Sequence, residues 1–346
     1  MNLLIITQKV DVNDDNLGFF CQWLEKFAKK LDKLYVICLL EGEYHLSENT
    51  KVYSLGKEKG FSKLRQFFRL QKFLLKYLPE VDGVFIHMCP IYAVLSFPLV
   101  KIFKKKMILW FTHKSVNWKL KLAEKLVDKI LTASEESCRV RNRRKIKIVG
   151  HGIDIEKFKV QNSKFKIAVQ SSKFKILSVG RVAPIKDLET LIRAIDVLVN
   201  QKDIKDIELK IIGSAILDSD KQYFKKIRDL VKEKNLENYV KFIGGVSNIK
   251  MPEYYQNADL LVNLSRTGSV DKSVLEAMAC GCLVLTCNEA FKKILNRQYL
   301  FKQKDSSDLA DKIINFKRTE KNQKLREIVV NYYNLDNLII KILNEF

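Results

Sequence analysis

Short apolar runs recur along the chain, each followed by a polar turn and then by apolar positions three and four residues apart. The short runs, rich in Val, Ile and Leu, predict strands, and the longer periodic stretches predict helices. In the first half the strands fall at 3–7, 34–40, 51–55, 84–88, 107–112, 129–133 and 145–149. Helices are expected at 18–31, 61–78, 91–103, 123–129 and 135–143. In the second half strands at 175–179, 208–212, 239–243, 260–264 and 283–287 alternate with helices at 188–200, 222–234, 251–257, 271–280 and 304–317. One or two further helices close the chain over 325–346. Alternation of this kind predicts parallel sheets covered by helices, an α/β fold.

The stretch LLVNLSRTGSVDKSVLEAMACGCLVLTC, residues 260–287, reads as strand, loop, helix and strand. Ser269 or Asp271 can cap the helix, and Gly281 can end it. In such a unit the helix start lies at the carboxyl end of the strand, where free N–H groups favour an anion. Gly268 would let a phosphate approach the loop backbone. Glu276 sits just over a turn further on, where a carboxylate can accept two hydroxyl hydrogen bonds from a ribose. The plain alternative is a Lys272–Glu276 surface ion pair four residues apart, worth about a few tenths of a kcal/mol.

Other strand ends carry similar chemistry. After 175–179 comes Gly180-Arg181-Val182-Ala183-Pro184-Ile185-Lys186, a glycine, a planar cation and a point cation at one turn. Arg and Lys there make an anion site. The strands at 208–212 and 239–243 end at Gly213 and at Gly244-Gly245-Val246. In the first half His87, His113 and His151 stand at strand ends, the edge where open α/β sheets bind ligands. His113 is the preferred functional candidate, because an imidazole can exchange hydrogen bonds with a sugar hydroxyl near neutral pH. Gly18 opens the first helix. Asp11, Asp14 and Asp15 lack a calcium-loop pattern and read as a capped, solvated loop, and Asp218-x-Asp220 reads as a loop pair with little claim on a metal.

A length of 346 residues suggests two domains. Hydrophobic content of 47% and charged content of 29% describe a globular chain. The seven cysteines are scattered and odd in number, which argues for reduced, buried thiols and a cytoplasmic setting. The opening MNLLIITQKV lacks a basic leader and a cleavage site, so it reads as a first strand. The longest apolar stretch, 91–100, is too short to span a bilayer and contains Pro98. Net charge of +22 favours anionic partners, or else records a lysine-rich habit with solvated side chains. The helix FSKLRQFFRLQKFLLKYL places Leu64, Phe67, Phe68, Leu74, Leu75 and Leu78 on one stripe, flanked by Lys63, Arg65, Arg69, Lys72 and Lys76. It suits either an anionic membrane surface or ordinary packing on a sheet.

Six motifs together resemble the GT-B glycosyltransferases, and in detail the retaining glycosyltransferase family 4. They are ILWFTH, GHGIDIEKF, VGRVAPIKDLETLIRA, LKIIGS, VKFIGGVSNIKMPEYYQNADLLVNLS and LEAMACGCLVLT. The resemblance implies two Rossmann-like parallel-sheet domains facing across a cleft. An acceptor-side domain would span 1–154, a linker 155–172, a nucleotide-sugar domain 173–325, and C-terminal helices 326–346 that can cross back. It implies that Arg181 and Lys186 grip the donor diphosphate and Glu276 holds the ribose hydroxyls. Gly213 and the loop at Gly245 and Val246 would line the nucleotide, with the latter two meeting the base. Gly268, Ser269, Val270 and Asp271 would meet the transferred sugar, His113 would hydrogen-bond it, and Gly18 would sit beside the diphosphate. The family usually has a second Glu eight positions before Glu276; here that position is Gly268, and Asp271 or Lys272 can take over the contact.

The implied activity is transfer of a sugar, with retention, from a nucleotide sugar to a glycan or lipid-linked acceptor in surface polysaccharide or glycolipid synthesis. No metal or other cofactor is expected, since protein cations would neutralise the leaving diphosphate. Expected partners are the donor, the acceptor and an anionic membrane surface, with the protein on the inner face of the cell membrane. A non-catalytic sugar-nucleotide binder and a sugar-nucleotide epimerase stay open as alternatives. A nucleic-acid-binding role finds no aromatic-basic RNA motif or DNA-reading module.

Overall fold

The structure is a computed structural model and describes residues 1–159, 173–266, 268–317 and 323–346. The connection expected over 155–172 lies mostly outside the described residues. In chain order the first elements are β1 (Asn2–Val10), α1 (Phe19–Ala28), β2 (Lys33–Glu41), β3 (Thr50–Ser54), α2 (Lys63–Tyr77), β4 (Gly83–His87) and α3 (Pro90–Ile102). Then come β5 (Lys106–Trp110), α4 (Trp118–Leu126), β6 (Lys129–Thr132), β7 (Ile146–Ile148), β8 (Phe174–Val179), α5 (Leu188–Asp196), β9 (Ile207–Ile212) and α6 (Asp218–Glu233). The last are β10 (Val240–Gly244), α7 (Met251–Asn257), β11 (Leu260–Asn263), α8 (Lys272–Ala279), β12 (Leu283–Thr286), α9 (Ser306–Lys317), α10 (Lys324–Tyr332) and α11 (Leu335–Leu343).

The chain divides into two compact units. The first contains Met1–Gly152, Ser247–Ile249 and Leu335–Phe346; the second contains Ile153–Val246 and Lys250–Asn334. In the first, the described strands form a parallel sheet in the order β3-β2-β1-β4-β5-β6-β7. Alternate residues of β1 point to opposite faces, as a strand's period of two requires. Leu4 and Ile6 join the core under α2, α3 and α4. Leu3 and Ile5 join a second core under α1 and α11. The last helix is fastened by charge as well as by Leu335, Leu338, Ile339 and Ile342: Lys26 pairs with Asp336 at 2.7 Å, and buried Glu345 accepts from Lys129 and Lys147. Its neighbour α10 stays with the second unit, where Leu325 and Val329 are buried. The terminal helices expected over 326–346 therefore divide at residue 335.

The second unit holds a parallel sheet in the order β10-β9-β8-β11-β12. Its strands read as apolar runs because both faces are covered, and β11 and β12 are buried along their whole length. The turns after β8 and β9 lie so close that a side chain on one would strike the other. A Cβ at Gly213 would lie 2.0 Å from the Gly180 carbonyl oxygen, and both glycines have φ near +140°. Only glycine meets both demands.

Three expectations are corrected. Residues 135–143 form no α-helix: 135–137 make a turn, and over 138–141 Cys138 and Val140 are buried while Arg139 and Arg141 are exposed, the period of two of an extended segment, before a short 3-10 turn at Arg143–Lys145. The pair Asp218 and Asp220 lies in the first turn of α6 and not in a loop. The apolar stripe of 61–78 is not one buried face. Leu70, Leu74, Tyr77 and Leu78 pack inward, while Leu64, Phe68 and Leu75 stand exposed. Among the described residues no helix is long and apolar enough to cross a membrane.

All three tryptophans lie in the first unit, so tryptophan fluorescence follows that unit alone. Glu345→Gln should lower its stability by about 1–2 kcal/mol at neutral pH in urea unfolding read by fluorescence. Burial raises the Glu345 carboxyl pKa, but hydrogen bonds from Lys129 and Lys147 outweigh it and hold the group below the usual 4.5. A depressed acid stabilises above its unfolded value, so the wild-type advantage should hold above pH 4.5 and fade as pH falls through the lowered value. Gly213→Ala should destabilise the second unit by about 2–3 kcal/mol, read by calorimetry, because backbone must move to admit the methyl group.

Candidate functional site

The carboxyl edge of the second sheet gathers most of the candidates. Arg181 and Lys186 follow β8, Gly213 follows β9, Gly245 and Val246 follow β10, and residues 268–272 lead from β11 into α8. Backbone bonds stitch these turns together: Gly180 N–H donates to Ile212, Val182 N–H to Ser214, and Gly213 N–H to Gly244. Gly245 is exposed, Val246 is half-buried against the core, and Gly268 and Val270 are buried.

Lys186 ties two of these turns. Its Nζ lies 3.3 Å from Asp271 Oδ1 and 3.2 Å from Ser265 Oγ. Asp271 stands at the N-cap of α8, yet its side chain makes no capping bond. Its carboxylate accepts from Lys186 and from Asn263 Nδ2 at 2.9 Å, and Thr286 Oγ1 in turn donates to Asn263 Oδ1. The carbonyl of Ser269 accepts from Asn288 Nδ2. The backbone N–H of Arg266 donates to the Ile185 carbonyl, and its guanidinium donates to that of Pro184. The loop before α8 is thus pinned to the turn that carries Lys186. Arg181 is half-exposed, with Nε 3.6 Å from buried Asp220. Asp220 also accepts from the Leu217 N–H at 3.2 Å, so the acidic pair of α6 serves a helix start and an ion pair. Among the described residues no group of three or more His, Cys, Asp or Glu is placed to hold a metal ion.

Glu276 is buried, and so is its chemistry. Tyr255 O–H donates to Oε2 at 2.9 Å, and Lys272 Nζ lies 3.3 Å from Oε1. The Lys272–Glu276 pair is therefore real but is not the surface pair that i, i+4 spacing suggests. Burial lowers the Lys272 amine pKa against the opposing pull of Glu276. Burial and the Glu276 charge together push Tyr255 well above its ordinary range. The field of Glu276 also reaches Lys157, whose amine burial pushes down to about 8. Sequence reasoning singled out neither Lys157 nor Tyr255. Both lie inside quoted motifs, GHGIDIEKF and MPEYYQNAD, but Tyr255 reads as one apolar position of a short helix and Lys157 as one lysine among many.

In the first unit the three strand-end histidines separate. His87 is buried, stacked on Phe20 with centroids 3.7 Å apart, and bonded through Nδ1 to Thr7 Oγ1 at 3.2 Å. His151 is buried beside Trp23 and Trp110, and its Nδ1 accepts from the Gly152 N–H. Both hold the core. Only His113 of the three is exposed, its Nδ1 accepting from the Ser115 N–H at 3.0 Å. Gly18 begins α1, and a Cβ there would come within 2.5 Å of the Asp14 carbonyl oxygen, so loop packing already requires glycine. Asp14 caps that loop through the Asn16 and Leu17 N–H groups and pairs with Lys9 at 2.6 Å. All seven cysteines are free thiols, buried except for half-buried Cys89.

Comparison with known proteins agrees with this architecture. Residues 159–333 match the family described as glycosyl transferases group 1. Mannosylfructose-phosphate synthase of Agrobacterium fabrum is 30% identical over 106 residues, which are 31% of this chain and 23% of that protein. D-inositol 3-phosphate glycosyltransferase of Kineococcus radiotolerans is 26% identical over 153 residues, 41% of this chain and 34% of that one. The matched regions thus span no more than about a third of these curated relatives. In fold, the crystal structure of Anabaena HepE in complex with UDP superposes with a TM-score of 0.78 at 17% identity, covering 100% of this chain and 99% of that one. Two parallel-sheet units of this kind are the GT-B architecture, and with half of its length matched by the family, the chain belongs to the group 1 glycosyl transferases.

Proposed function

We propose that the protein is a retaining transferase of family 4 type that moves a hexosyl or related unit from a nucleotide sugar to a glycan or lipid-linked acceptor, in surface polysaccharide or glycolipid synthesis. The observation that carries the donor side is the union of Lys186, the start of α8 and buried Glu276 at one sheet edge. A diphosphate placed over this edge meets two kinds of cation and the N–H groups of a helix start. Lys186 has three donors, and among the described residues Ser265 and Asp271 engage it, so a phosphate oxygen can take the third. Glu276 is fixed by Tyr255 and Lys272, an arrangement that holds a carboxylate ready for paired ribose hydroxyls. Arg181 and Lys186, and not a divalent ion, neutralise charge that builds on the leaving diphosphate. That a fold neighbour is a UDP complex supports a nucleotide donor. Asp271, fixed by Lys186 and Asn263, takes the sugar contact that the family's first Glu usually makes.

The acceptor side rests on α2. Its exposed Leu64, Phe68 and Leu75 lie among five cations and no acid, which supports placement at the inner face of a membrane. Gly268 in place of the usual Glu favours one second reading, a binder that holds donor without transferring sugar. That protein would show neither transfer nor slow donor hydrolysis.

A thermal-shift screen over nucleoside diphosphates and their sugars should find one class that stabilises the protein by mass action. Arg181→Ala, Lys186→Ala and Glu276→Ala should each weaken that ligand about tenfold or more in calorimetric titration, a loss of about 1.4 kcal/mol or above. Unchanged affinity in all three variants would remove the site. Lys157 offers an independent check of the electrostatics. Its folded amine pKa is near 8 against an ordinary 10.5, so the unfolded chain binds more protons between those values and stability should rise with pH across that window. At pH 8 the Lys157 amine is about half neutral, on the order of a hundredfold more than an ordinary lysine. Acylation followed by mass spectrometry should therefore modify Lys157 ahead of solvated lysines.

A further inference from the structure

A cavity of about 620 Å³ opens in the first unit between α4 and the segment at 139–142. Lys121, Glu124 and Lys125 line one wall, and Arg139, Arg141 and Asn142 line the other. Because α4 follows β5, its first turn stands at the carboxyl edge of the sheet and its last turns run away from that edge. The cavity flanks those last turns, so it is a different place from the strand end that carries His113. Its walls are tied together. Glu124 accepts the Asn142 N–H at 2.7 Å, which joins helix to segment. Lys145 fastens the far end, its Nζ donating to the carbonyls of Glu124, Lys125 and Val127 at the close of α4. Burial of Cys138 and Val140 turns Arg139 and Arg141 outward to one side.

This framing gathers like charge around one space. Lys121 and Lys125 are four apart on a helix, a spacing at which like charges repel. The opposite wall adds Arg139 and Arg141. Among the described residues no acid pairs with Lys121, Lys125 or Arg141. A concave surface lined by one sign of charge focuses the field more than a convex one does. The volume is that of a small-molecule pocket, about 300–1,000 Å³. Two guanidinium forks and two point cations suit phosphate groups, and more than one of them. The lining also offers partners for hydroxyls. Asn142 Oδ1 accepts the Arg144 N–H at 3.2 Å, but Asn142 Nδ2 and Glu124 Oε2 have no hydrogen-bond partner among the described residues. A flat bilayer surface would leave such a cavity empty, and a nucleobase would find no aromatic face in the lining to stack on.

We propose that this cavity binds a soluble sugar or polyol bearing two phosphate groups, with the phosphates on the cations of its two walls and the hydroxyls on Glu124 and Asn142. The site needs no nucleotide and does not depend on the donor reading. Fructose 1,6-bisphosphate is the probe, added to the intact protein while tryptophan emission follows the melting of the first unit. It should raise that melting temperature with dose, by mass action. Inorganic phosphate should act only at about tenfold higher concentration or above, and glucose should not act. Lys121→Gln with Arg141→Gln should weaken the bisphosphate about tenfold or more in calorimetric titration. The same variant should keep the melting temperature of the free protein and its response to nucleoside diphosphates, which separates lost binding from misfolding. Lys186→Ala should bind the bisphosphate as wild type does, so failure of the donor site and failure of the cavity are told apart. The proposal is overturned if the bisphosphate leaves the melt unmoved, if the double variant binds it like wild type, or if Lys186→Ala abolishes binding. Sodium sulfate that reproduces the whole shift at equal ionic strength would overturn it too, as would phosphatidylglycerol vesicles that engage Lys121 and Arg141 when the bisphosphate does not.

Discussion

The second unit is organised by one ion pair. Lys186 and Asp271 are 85 residues apart in sequence, yet their contact joins the turn after β8 to the start of α8. Without it the cation would be free to swing on four carbons and the helix start would lose its neighbour. Asn263 and Thr286 extend the pair into the strands, and the Arg266 backbone closes the loop from the other side. An anion arriving here therefore finds its counter-charge already oriented, which spares the entropy of ordering a lysine at the moment of binding. The nearness of the Gly180 and Gly213 backbones belongs to the same design, because it brings the β8 and β9 turns onto one edge with no side chain between them.

Glu276 shows what burial does to an ordinary helix pair. On a solvated surface Lys272 and Glu276 would contribute little, since water screens both charges. Inside, the same two groups must satisfy one another, and Tyr255 supplies a neutral donor that completes the carboxylate. Two amines, Lys272 and Lys157, lie in its field, and burial depresses both. The site is thus tuned through residues that touch Glu276 or sense its charge, not only through those facing a ligand.

The parallel α/β character was legible because each strand is a compact apolar run and each helix a periodic one, so the strand positions match within one to three residues at most ends. The segment at 135–143 was not, because its residues are compatible with a helix and only the alternate burial of Cys138 and Val140 decides against one. For α2 the failure was of the same kind: eight apolar or aromatic positions give no sign of which half faces the sheet. Arg181 and Lys186 were visible as cations in the turn that follows a strand, and Glu276 as a carboxylate one turn into the helix that follows another. Tyr255 and Lys157 were not, since a tyrosine in a short helix and a lysine in a lysine-rich chain carry no local mark. His87 and His151 illustrate the converse, strand-end position mimicking function while aromatic stacking consumes the ring.

Net charge behaves differently in the two units, and this bears on what the excess of cations does. Around the second sheet's edge the cations are answered one by one: Lys186 by Asp271, Arg181 by Asp220, Lys272 by Glu276. Such pairing fixes geometry and contributes little long-range field. On α2, α3 and α4 the cations far outnumber the acids of the same helices, so their potentials add. A field of that kind acts before contact and orients the approach to any extended anionic surface. A compositional habit alone would scatter lysines over all faces with exposed apolar side chains left to chance. The joint occurrence of unanswered charge with Leu64, Phe68, Ile102 and Trp118 on helices of one layer instead couples long-range attraction to short-range burial, the combination that interfacial binding requires.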